Sequence, residues 1–180
     1  ALALLQIEGL VRVLPKRGTF IFLPDEKSVK DLCEHRAILE CACLELALTR
    51  NHSALVGGLQ NGIDMMQRAI KENSAVAFSA GDLRFHRAIV DASDNKSIAK
   101  IYTSTIGPLM ALRTHLFTTM TALQGRSMAE HAALLDACEK HDLAAAKTVL
   151  TEHVFHLHEA FRDQHEAQNE PAQTHLSVIK

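Results

Sequence analysis

The sequence has no apolar run near the ~18 to 20 residues that a membrane-spanning helix needs, no Cys-x-x-Cys pair, and no large excess of charge of either sign. The first lack argues against a helical membrane protein. The opening stretch, Ala1 to Gly9, also does not have the charged, apolar and small-residue layout of a secretory signal. The cysteines, Cys33, Cys41, Cys43 and Cys138, lack the regular spacing of a disulfide framework. Two of them, Cys33 and Cys138, fall on apolar helical stripes, where a thiol behaves as a small hydrophobe. A reduced, soluble, cytoplasmic protein is expected. With a formal charge of -2, the bulk of the chain has no general attraction for nucleic acid, so any DNA contact must come from a local basic element. Strand-like alternation is missing as well between Asp25 and Glu166.

That region carries helical periodicity instead. Leu32, Cys33, Arg36, Leu39, Cys43 and Ala47 mark one face of a first helix, and Leu59, Ile63, Met66 and Ile70 mark a second, with Ser53 as its expected N-cap. A third helix is expected from about Ser74 to Ala92, with Gly81 as a possible break. The fourth starts after Asn95, continues through Leu116 and is bent by Pro108. Gly125 ends the following connection, and Ser127-Met128-Ala129-Glu130 reads as a capping box opening a fifth. Asp142 caps a sixth. The expected fold is all-α, an antiparallel bundle of about six helices over residues 25–166, with a flexible tail at 167–180. Ahead of it, Leu10 to Leu14 and Thr19 to Leu23 read as two short strands around Pro15-Lys16-Arg17-Gly18, a hairpin too small to fold alone.

Four polar residues stand where those helices need core side chains. Asp82 and His86, four apart, share a face with Phe78, Phe85 and Ile89; His131 lies among Met128, Leu134, Leu135 and Cys138; His153 lies among Val149, Leu150, Leu157 and Phe161. A single such histidine is more simply a hydrogen-bonded core residue. Four on three helices have the chemistry of a divalent-metal site, because one shared cation would satisfy them all. Three imidazoles and a carboxylate suit zinc, nickel, iron(II) or manganese, and the ligand set alone does not choose; zinc is taken as the first candidate. Arg36 falls on the inward stripe of the first helix and could hold one end of an anion whose other end meets the metal, although Glu40 on its own helix is an alternative partner. Arg113 is a second, weaker candidate for the same role. His156 and His158 read as surface or supporting residues, and the remaining histidines share no face.

Two stretches carry a family resemblance. Glu8-Gly9-Leu10-Val11 followed by Pro15-Lys16-Arg17-Gly18-Thr19-Phe20 resembles the end of a GntR-family winged helix-turn-helix domain, where the latter segment forms the wing. Arg36 with Leu39-Glu40, Asp82-x-x-Phe85-His86, Glu130-His131 and His153 resemble the FCD ligand-binding domain of the FadR-like branch of that family, with the VanR-type subgroup suggested by the expected six helices. The resemblance implies that residues 1–24 are the remnant of a DNA-binding domain with Arg17 and Gly18 at its wing tip. It also implies that Asp82, His86, His131 and His153 bind a metal, and that Arg36 holds an effector. The implied function is a homodimeric transcriptional regulator, in which a small organic acid modulates binding to operator DNA. Two alternatives remain at this point: a metal-dependent enzyme in a helical bundle, for which Glu130 is the only nearby acid or base, and a purely structural metal.

Overall fold

The structure is a computed structural model that describes residues 11–14, 18–21, 25–120 and 122–169. Two short strands, β1 (Val11–Leu14) and β2 (Gly18–Ile21), pair antiparallel with Val11 opposite Ile21 and Leu14 opposite Gly18. Arg17 and the rest of the turn lie outside the described residues, as does 170–180. The remainder is an all-α bundle: α1 (Glu26–Arg50), α2 (His52–Lys71), α3 (Ala75–Ala92), α4 (Lys96–Thr105), α5 (Gly107–Thr119), α6 (Ala122–Glu139) and α7 (Leu143–Asn169). None of these helices is long and apolar enough to cross a membrane.

Among the described residues, seven helices rather than the expected six follow from Pro108. It has no N–H to donate and crowds the carbonyl four residues back, so the expected single bent helix divides at Ile106, and the proline sits in the first turn of α5. Gly81 does not interrupt α3. A Cβ there would lie 2.9 Å from Met66 N, so the glycine serves close packing against α2 rather than a break. Ser53 is not a cap: α2 starts one residue earlier, after Asn51, whose side-chain amide donates to Ala92 O at 3.1 Å. The expected capping box is also corrected. α6 begins at Ala122, so Gly125, Ser127 and Glu130 are helix-interior residues, and Glu130 turns to side-chain partners described below. Asp142 does cap α7, its Oδ1 accepting from Ala145 N at 2.9 Å, and Asp25, Ser74 and Asn95 cap α1, α3 and α4 in the same way. Helix α7 runs to Asn169 and so takes in the first three residues of the expected tail.

The tightest helix pair is α2 with α3. A Cβ at Gly58 would meet Ala88 Cβ at 2.5 Å, and one at Gly62 would meet Phe85 Cβ at 2.6 Å, so glycine lets the two backbones approach. That pairing fixes the rotation of α3 and sends Asp82 and His86 inward. Helix α1 packs against α3 and α7, and α6 against α2 and α7. The core they share contains Leu44, Leu59, Met66, Phe78, Phe85, Leu134 and Leu150, all shut off from solvent. Against it, Ile70 is 44 % exposed, off the buried face expected for it.

Candidate metal centre

Asp82 and His86 on α3, His131 on α6 and His153 on α7 come together in the middle of the bundle. All four are buried, and one ligand atom from each lies within 4.8 Å of the others. His86 Nε2 is 3.1 Å from His153 Nε2 and 3.3 Å from His131 Nε2, while His131 Nε2 lies 3.3 Å from Asp82 Oδ1. Burial, reinforced by the cationic Arg36 and Arg113, holds all three imidazoles well below the usual histidine pKa. They are therefore neutral, the form in which a histidine can coordinate.

These residues fit a divalent cation. Asp82 Oδ2 and His131 Nδ1 are buried without a hydrogen-bond partner among the described residues, an arrangement proteins avoid unless something else satisfies such groups. Oxygen and imidazole nitrogen suit zinc and its neighbours in the first transition row. The close approach of three neutral imidazole nitrogens to a carboxylate is favourable once a positive charge lies between them.

Both arginines expected near the centre reach it. Arg113, on α5, is buried rather than outward-facing and donates to Asp82 Oδ1. Burial pushes its pKa down to about 10, with Asp82 opposing that shift. Burial likewise pushes the Asp82 carboxyl up, against the pull of Arg113 and Arg36. Arg36 takes the alternative anticipated for it, donating from Nε to Glu40 Oε1 at 2.6 Å. Burial opposes its charge, but the adjacent Glu40 outweighs this and raises its pKa. Arg36, Arg113 and His153 nevertheless line one cavity of about 40 Å³, together with Ser127, Glu130 and Arg126. Ser127 Oγ and Arg113 Nε are buried without partners among the described residues.

Two carboxylates matter more than the sequence suggested. Glu40 is fully buried and accepts from Arg36, from Tyr102 Oη at 2.7 Å and from His86 Nδ1 at 2.8 Å. Glu130 accepts from His153 Nδ1 at 2.7 Å and from Arg126 Nε at 2.9 Å, and His156 Nδ1 lies 2.6 Å away without hydrogen-bond alignment. A signal was present: Arg36-Ala37-Ile38-Leu39-Glu40 and Arg126-Ser127-Met128-Ala129-Glu130 repeat one Arg-x-x-x-Glu spacing. Gly18 opens β2, and nothing further is described of the expected wing tip.

Comparison with known proteins bears on this arrangement. Residues 31–156 match the model of the FCD domain. The Uxu operon transcriptional regulator of Escherichia coli K12 is 24% identical over 176 residues, covering 86% of this chain and 67% of that protein. The gluconate operon transcriptional repressor of Bacillus subtilis is 30% identical over 110 residues, covering 61% of this chain and 44% of that protein. The chain thus spans about half to two-thirds of the length of these relatives. Among solved structures, a metal-free FCD domain of a transcriptional regulator shares the fold with a TM-score of 0.62 at 22% identity, over 81% of this chain and 99% of that one.

Proposed function

Because the chain belongs to the FCD domain family, we propose that its bundle is the sensing part of a GntR-type transcriptional regulator, holding a divalent metal and a small carboxylate effector that modulates DNA binding. Asp82, His86, His131 and His153 would hold the metal, which supplies a Lewis-acidic positive charge for one end of an anion. Arg36 and Arg113 would take the other end.

The observation that carries this reading is the cavity in which both arginines and His153 share a wall. Its 40 Å³ is room for roughly three waters, on the scale of a small carboxylate. In the buried centre the two guanidinium charges are balanced by Asp82 and Glu40. A divalent cation therefore leaves an excess of positive charge, which an anion neutralises. The enzyme alternative loses its acid or base, since Glu130 is engaged by His153 and Arg126. The relatives' names point the same way, both being transcriptional regulators.

Effector binding can alter DNA affinity only by favouring one of two arrangements of a dimer, so homodimerisation and operator DNA belong to this proposal. The test has two parts. Replacing His131 or His153 with alanine removes most bound metal, read by elemental analysis; unchanged metal content in both variants rejects the ligand set. Small carboxylates added to metal-loaded protein raise its melting temperature without being consumed. Turnover of a stabilising acid would favour the enzyme, and no stabilisation across diverse acids would leave a structural metal.

A further inference from the structure

The geometry points to Glu40 and Glu130 as positioning residues that hold His86 and His153 with their protons on Nδ1 and their Nε2 lone pairs facing the shared centre, an inference that rests on the metal-binding reading above. In each pair the carboxylate Oε2 faces histidine Nδ1, at 2.8 Å for Glu40 with His86 and 2.7 Å for Glu130 with His153. The other oxygen is occupied by donors. Glu40 Oε1 accepts from Arg36 and Tyr102, and Glu130 Oε1 accepts from Arg126. With Oε1 of each glutamate taken up by donors, Oε2 is the oxygen left to accept from the imidazole, so the geometry puts the hydrogen on the Nδ1 that faces it.

A neutral imidazole has one N–H, so Nε2 is bare in both histidines. Two bare nitrogens then face one another across 3.1 Å, an arrangement that a cation between them would relieve. His131 is built differently. Its Nδ1 has no partner, while its Nε2 lies 3.3 Å from Asp82 Oδ1 and 3.3 Å from His86 Nε2, within reach of both acceptors. Two of the three imidazoles are therefore preset as ligands by an outer carboxylate, and the third must move its proton from Nε2 to Nδ1 when metal binds. Such outer partners fix ring orientation and raise ligand basicity.

The 180-residue chain, stripped of metal by a chelator and labelled with nitrogen-15, tests this directly through the proton–nitrogen correlations of its histidine rings. At pH 7.5 His86 and His153 are expected as Nδ1–H forms and His131 as the Nε2–H form. Glu130→Ala should move His153 toward Nε2–H and weaken zinc binding by about 10- to 100-fold in competition with a chromogenic chelator. Glu130→Gln should retain the wild-type tautomer and most of the affinity, because the amide oxygen still accepts. Glu40→Gln, safer than alanine at a fully buried position, should likewise keep His86 as Nδ1–H. An Nε2–H form of His86 or His153 in the wild-type chain overturns the inference, as does a His153 tautomer unmoved by Glu130→Ala. The wild-type spectrum decides even if that variant does not fold. Expected tautomers in a wild-type chain that takes up no zinc would overturn the metal reading and leave the tautomer assignment in place.

Discussion

Arg113 donates to Asp82 Oδ1 in the centre of the bundle, and neither residue reaches solvent to any useful extent. Asp82 Oδ2 has no partner among the described residues. A bound cation would thus be the second positive charge on one carboxylate, and Arg113 and the metal share it. Arg113→Ala leaves Asp82 as a buried charge without its guanidinium, a change that costs about 3 to 5 kcal/mol in buried pairs. That loss is expected in urea unfolding with chelator present and should be clearly smaller with saturating zinc, which replaces the missing charge. Equal losses in the two conditions would show that the metal does not touch Asp82.

The gathering of Asp82, His86, His131 and His153 at one buried point was legible because each is a polar residue on an otherwise apolar stripe, and such a conflict has few physical solutions. Glu40 and Glu130 were hidden for a related reason. Each had an ordinary local explanation, an i,i+4 partner for Arg36 or a capping glutamate, that left nothing unsatisfied along the chain. Only the tertiary approach of His86 and His153 shows the second use. The divided α4 and α5 illustrate the limit of periodicity: the apolar spacing continues across Ile106, and Pro108 decides between a bend and a break according to packing that the sequence does not display. The start of α6 was misplaced because Ser127 and Glu130 have a cap's spacing, while the residues from Ala122 onward are equally compatible with helix.

Stability should fall on mild acidification. His86, His131 and His153 have folded-state pKa values pushed down by burial, whereas the unfolded chain protonates them near 6.5. The unfolded state therefore takes up protons first, so the stability is complete above about pH 6.5 and is lost as pH falls below it. The limiting slope is about 1.4 kcal/mol per pH unit for each histidine, about 4 for the three. Asp82, raised by burial, works in the opposite direction and offsets part of that slope where it titrates; the window to read, about pH 7.5 to 5.5, brackets the unfolded histidine value. Urea unfolding of metal-stripped protein across that window gives the slope. A flat profile would mean that the imidazoles are not buried in neutral form.

Gly62 holds the geometry of the centre from behind. A Cβ at this position would meet Phe85 Cβ at 2.6 Å and Phe85 N at 2.8 Å, and Phe85 precedes His86. Gly62→Ala should destabilise the fold by about 1 to 3 kcal/mol through overpacking and lower metal affinity by shifting α3. Gly57 is on the same helix with nothing within 4 Å of an added Cβ, so Gly57→Ala should be neutral or stabilising by up to ~1 kcal/mol. Thermal melts of the two variants make the comparison, and similar melting temperatures would contradict the close approach of α2 and α3.

On the proposed reading, a substitution at Arg36 would separate effector binding from metal binding. Its Nε is held by Glu40, and the side chain also lines the cavity beside Arg113 and His153, so it can turn part of its guanidinium fork to an incoming carboxylate without leaving its partner. Arg36→Ala removes that donor but no metal ligand, and Glu40 keeps Tyr102 and His86 as donors. Zinc content should therefore stay close to that of the unmodified chain. Affinity for a stabilising carboxylate should drop by roughly ten- to more than a hundredfold, corresponding to about 1.5 to 3 kcal/mol for a charge-assisted contact. Calorimetric titration of zinc-loaded protein with the same acid gives both numbers. If affinity is unchanged, Arg36 serves only to neutralise Glu40, and the anion is held by the metal and Arg113; if zinc is lost together with affinity, Arg36 acts through the Glu40–His86 pair instead of touching the effector.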